Sequence, residues 1–193
     1  MRNKPKDVFV ALLAAAVVGA APAVADNLLI NGSFEDGNYS PTPGAPWQSI
    51  PASPPCAACG VITGWTISAV PGASLSGIDW MGSVDRGLTA LVASDGDKSL
   101  DMNYGGQGAI SQILTTAPGG TYSVSFDLAG NPANNLCGTP LKTLRVSAAG
   151  TSKDYEFDTT GRTYPADAHD LGWRPETFRF VADNSATTLR FES

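Results

Sequence analysis

The run "TYSVSFDLAG", residues 121–130, decides the fold class. Tyr122, Val124, Phe126 and Leu128 alternate with Ser123, Ser125 and Asp127, so in an extended chain the apolar side chains share one face. The pattern recurs downstream. "TLRVSAAG" (143–150) sets Leu144, Val146 and Ala148 opposite Arg145 and Ser147. Tyr155 and Phe157, Phe178 and Phe180, and Leu189 and Phe191 pair in the same way. Each run is short, one-faced and bounded by Gly, Pro, Asn or Asp, and no window after residue 26 sustains a helical stripe. Many short antiparallel strands imply two sheets packed face to face, an all-β sandwich or jelly roll. Trp80 alternates with Ile78, which puts its indole in the core. Residues 38–60 read instead as a Pro/Gly-rich loop carrying Trp47. The final "LRFES" stops on a strand-like alternation, so the chain is expected to be truncated there.

The other end reads as an export signal. Arg2, Lys4 and Lys6 precede an uncharged run from Val8 to Ala21, Pro22 breaks it, and Ala23-Val24-Ala25 supplies the small residues of a cleavage site before Asp26. The run is shorter than the ~20 apolar residues that cross a bilayer. The domain reading is therefore a signal peptide over 1–25 and one β-sandwich over 26–193, secreted or displayed at the cell surface, with no transmembrane segment in the mature chain.

The whole chain carries a net charge of −6. Removing residues 1–25 takes away Arg2, Lys4, Lys6 and Asp7 and moves it to −8. That balance argues against nucleic acid and anionic membrane surfaces, which need basic patches. Cys56, Cys59 and Cys137 make an odd count for an oxidising compartment. Cys56-x-x-Cys59 lies in a Pro-rich loop without the strand-then-helix setting of a redox pair, so a structural bridge is expected, Cys56 to Cys59 or one of them to Cys137.

Catalytic patterns are mostly missing. With one histidine, His169, a two-histidine metal site is impossible, and no G-x-S-x-G elbow accompanies it. "GGQGAIS" (105–111) lacks the last glycine and the following helix of a phosphate loop. "DGDKSLD" (95–101) begins like a calcium loop, but Leu100 stands where an EF-hand needs glycine. Glu35, Asp36, Asp79, Asp101 and Asp127 could supply a glycoside-cleaving pair only if the fold brought two of them into a cleft. Most of them read as outward strand residues or turn formers, so no enzymatic activity is expected.

Taken in order, "NLLINGSFEDG", "ITGWTI", "GIDWMG", "ASDGDKSLDMN", "GAISQILTT", "GTYSVSFDLAGNP", "KTLRVSAAG" and "TFRFVADNSATTLRFES" resemble the bacterial choice-of-anchor C family. More distantly they resemble the plant cell-wall proteins of domain of unknown function 642. The resemblance implies export and a galactose-binding-like jelly roll that continues past "FES" into a last strand, which this sandwich is expected to lack, and plant relatives are associated with cell-wall polysaccharide. In carbohydrate-binding modules that look like this chain, the glutamate of N-G-x-F-E ligates a structural calcium. The matching positions are Glu35 with Asp95 or Asp97. Hard oxygens from carboxylates and loop carbonyls suit Ca²⁺.

A glycan surface needs aromatics that the sandwich does not bury, because sugar rings stack on Trp and Tyr. Trp47, Tyr104 and Trp173 qualify by loop location. The expected function is an exported, non-catalytic module binding polysaccharide or another cell-wall or envelope component. The alternatives are a structural or protein-interaction domain of the envelope or extracellular matrix and, third, a glycoside-active enzyme.

Overall fold

A computed structural model describes residues 8–17, 27–42, 44–53, 60–73, 75–82, 91–132 and 139–193. Its strands are β1 (Val8–Val17), β2 (Trp47–Ser53), β3 (Thr66–Ala69), β4 (Ser76–Gly82), β5 (Lys98–Asp101), β6 (Gly108–Thr115), β7 (Thr121–Gly130), β8 (Leu141–Ala148), β9 (Thr151–Asp158), β10 (Arg174–Val181) and β11 (Ala186–Glu192). They form a six-stranded sheet ordered β10-β7-β1-β5-β4-β2 and a five-stranded sheet ordered β3-β6-β11-β8-β9. Every strand pairing within them is antiparallel.

The alternation that predicts strands also predicts the core. Tyr122, Val124, Phe126 and Leu128 of β7 are buried, as are Leu144, Val146 and Ala148 of β8, Phe178 and Phe180 of β10, and Leu189 and Phe191 of β11. Phe126 joins the sheets, meeting Tyr155 of β9 and Phe191 of β11 edge-on at 5.1 and 5.5 Å between ring centroids. Offset and edge-to-face pairs of this kind add to the burial of apolar area that drives sheet packing. Trp65 and Trp80 lie in the same core, and their indole N–H groups donate to the Asn31 and Phe34 carbonyls. The segment holding those carbonyls is thereby fastened over one end of the sandwich.

One expectation needs revision. The stretch read as a loop over 38–60 contains β2, so Trp47 stands on an edge strand rather than in a loop. Pro51 hid it, yet an edge strand tolerates a residue that cannot donate to the ladder, and the register shifts between Pro51 and Ser53. Val8–Val17, within the apolar run of the expected export signal, is the strand β1 between β5 and β7. The expected cleavage point, the cysteines at 56, 59 and 137, and the loops around them lie outside the described residues. No helix among the described residues is long and apolar enough to cross a membrane.

Candidate functional site

Side chains directly opposite on neighbouring strands share a face, and so do residues two apart on one strand. On β2, β4 and β5 the register sets Trp47 against Met81 and Ser49 against Asp79, then Met81 against Ser99 and Asp79 against Asp101. Trp80, Ile78 and Leu100 alternate to the opposite face and are fully buried. The face opposite Trp80, Ile78 and Leu100 therefore carries Trp47 and Ser49 on β2, Met81 and Asp79 beside them on β4, and the buried Ser99 and Asp101 on β5.

Trp47 is 40 % exposed, unusual for an indole on a strand. Its neighbour two residues on, Ser49, donates from its hydroxyl to Asp79 Oδ1 (2.5 Å). Burial raises the Asp79 carboxyl from 3.8 to about 6, against the pull of the Ser49 hydrogen bond. Asp101 is buried and held differently. Its Oδ1 accepts the Asn103 N–H (3.1 Å) and its Oδ2 the Asn131 side-chain amide (3.0 Å). The two carboxyls are thus adjacent but unlike: one destabilised in its charged form, the other solvated by amides.

Glu35 is fixed nearby, beside the N-terminus of β5. Its Oε1 accepts the N–H groups of Asp97 and Lys98, each at 2.8 Å. Gly96 makes this approach possible, with φ of +62° and a position at which a Cβ would come within 2.4 Å of Oε1. The Lys98 ammonium stands over the Tyr39 ring, 4.7 Å from its centroid, and the Tyr39 hydroxyl donates to the carbonyl of Pro46, the residue before Trp47. The Glu35 clasp and the Trp47 edge are therefore joined through Lys98 and Tyr39.

The structure brings Glu35 to the loop of Asp95 and Asp97 through main-chain contacts rather than carboxylate to carboxylate. The contact is made by the N–H donors of Asp97 and Lys98 to Oε1. Among the described residues no three Asp, Glu, His or Cys side chains converge as a metal set. The three aromatics do not come together. Tyr104 is half-buried, and its N–H bonds to the Gly77 carbonyl at the far end of β4 from Trp47. Trp173 leads into β10 at the other edge of the sheet, packs against the core and donates its indole N–H to the Val92 carbonyl (2.9 Å). Ser49 and Tyr39 carried no sequence signal, and their roles depend on strand register and on a loop contact.

The profile of a family described as "Protein of unknown function (DUF642)" matches residues 27–193. The chain belongs to that family.

Proposed function

From this membership and the geometry of the β2 edge, we propose that the protein is an exported, non-catalytic module that binds polysaccharide. The observation that carries the reading is the exposed indole of Trp47 in line with the Ser49–Asp79 pair. An indole face stacks on the C–H face of a sugar ring, while a hydroxyl and a carboxylate beside it take sugar hydroxyls. The half-buried carboxyl at Asp79 fits this role, because groups kept at a cost in stability concentrate where ligands bind. A catalytic reading is disfavoured by Asp101, whose two oxygens are both engaged by amide donors in a buried position.

Export through the apolar leader and the choice-of-anchor C assignment belong to the same proposal, as does the galactose-binding-like jelly roll. Calcium, where present, would bind through Glu35 Oε2 with Asp95 or Asp97 and hold the loop onto the sheet. The rival reading is a structural or protein-interaction domain of the envelope or extracellular matrix.

The test is retention of the purified protein on insoluble and gelled polysaccharides, with calcium and then with EDTA. Trp47→Ala is expected to abolish retention, a loss of about tenfold or more in affinity, while leaving the melting temperature nearly unchanged. A folded protein that is retained by no polymer, or retained equally after Trp47→Ala, sinks the proposal. Binding to envelope proteins after complete removal of polysaccharide would favour the rival.

A further inference from the structure

β9 and β10 are outer strands of different sheets. Between them opens a cleft of about 590 Å³ lined by Thr151, Ser152, Lys153, Thr177, Phe178 and Arg179. The Tyr155 hydroxyl donates to the Thr177 carbonyl (2.7 Å) and ties the two strands together beside it. In the six-stranded sheet β10 and β2 are opposite edges, five strand spacings or ~24 Å apart, so this cleft is separate from the Trp47 edge.

Its lining is cationic. Lys153 contacts the Tyr155 ring, 4.2 Å from its centroid, and has no ion pair among the described residues. The Arg179 side chain makes neither a hydrogen bond nor an ion pair with any described residue. The neighbouring carboxylates are turned away or engaged. Asp154 and Glu156 alternate to the face of β9 opposite Lys153, and Asp154 is paired with Arg145 (2.7 Å). Glu176 alternates away from Arg179 and is paired with Arg174 (2.8 Å). A chain of net charge −6 thus has a cleft lined by two uncompensated cations, three hydroxyls and no carboxylate.

We propose that this cleft binds an acidic saccharide, a sugar unit carrying a carboxylate or a sulfate. Arg179 supplies a planar fork suited to an oxyanion, Lys153 a point charge, and Thr151, Ser152 and Thr177 partners for ring hydroxyls. The volume falls within the roughly 300–1,000 Å³ of small-molecule sites. The saccharide part rests on the polysaccharide reading above, whereas the cleft and its charge do not. Exposed ion pairs are screened, so the binding is expected to weaken with salt.

The test titrates the full chain with an alginate tetrasaccharide, a chondroitin sulfate tetrasaccharide and a neutral cello-oligosaccharide at low and high salt, with sodium sulfate as competitor. The acidic probes are expected to bind, to weaken with salt, and to lose about tenfold or more in the Lys153→Gln/Arg179→Gln double variant. That variant should melt like the parent, since both side chains are exposed. Acidic binding unchanged in the double variant overturns the site. Equal binding of the neutral probe, lost with Trp47→Ala, overturns this inference while keeping the polysaccharide reading. No binding of any saccharide overturns both. Displacement of the acidic probe by sulfate at equal molar concentration overturns the saccharide part and leaves an oxyanion site.

Discussion

A carboxylate oxygen that accepts two main-chain N–H groups works as a clasp, and Glu35 closes one between residues 62 and 63 positions apart in the chain. Hydrogen bonds to a charged acceptor are each worth about 1.5–3 kcal/mol when sheltered and less at an exposed position such as this one. Glu35→Ala is therefore expected to lower stability by roughly 1–2 kcal/mol, while Glu35→Gln, which keeps an acceptor oxygen, loses less. Gly96→Ala should cost at least as much as Glu35→Ala, because its Cβ would strike Oε1 and the residue sits in the left-handed region. Chemical denaturation of the three variants checks this order, and an undiminished Gly96→Ala protein would contradict it.

Asp79 behaves in the opposite sense. Its carboxyl is raised from 3.8 to about 6, so the fold favours the neutral form. Stability is full below 3.8 and falls as pH rises through about 6, above which the fold bears a cost on the order of 2–3 kcal/mol. Asp79→Asn keeps an acceptor for Ser49 and removes the charge. It is expected to melt higher than the parent at about pH 7.5, with the difference vanishing near pH 3.5. A difference independent of pH would count against the burial argument.

At the scale of elements, the strands that announce themselves are those with one wet and one dry face. β7, β8, β10 and β11 alternate strictly, and the side chains expected inside are inside. β2 does not announce itself, because an edge strand needs little apolar pattern and tolerates Pro51. The candidate site was legible only in part for a related reason. Trp47 stands out as an aromatic in a polar stretch, but its alignment with Ser49 and Asp79 is set by the pairing of β2 with β4, about 30 residues apart in sequence. Trp173 shows the converse, an aromatic in a polar loop whose indole N–H is used up by the Val92 carbonyl.

The two sheets are stitched at one open side by the Tyr155 hydroxyl, which donates from β9 to β10. Burial, with Glu176 nearby, pushes that phenol up to about 12. Its neutral form is favoured by folding, so the associated stability is full below pH 10 and lost as pH rises through about 12. Tyr155→Phe should cost about 1 kcal/mol at neutral pH and remove that alkaline loss. A melting curve unchanged on substitution would show that the stitch carries no weight.

Over the whole molecule, one strand occupies a double position. β1 pairs with β7 from Val8 to Val17 and with β5 at Phe9 and Val10, yet it is also the run expected to be removed on export. Without it, the facing edges of β5 and β7 expose unpaired N–H and C=O groups, an invitation to pair with another chain. A chain starting at Asp26 is expected to melt lower than the full chain and to self-associate. Light scattering after size exclusion and a paired melt would test this, and an equally stable monomer would show that β1 is dispensable.

β11 invites a different kind of question. It is hydrogen-bonded to β6 from Ala186 to Glu192 and to β8 from Arg190 to Glu192, and Ser193 just beyond it is tied to Gly108. A pull on Ser193 along the strand would load those ladder bonds in parallel, as shear, rather than opening them one by one. Resistance to such a force follows the unfolding rate rather than the equilibrium stability. This end of the chain should therefore act as a stiff mechanical handle, holding to high tension and then giving way abruptly.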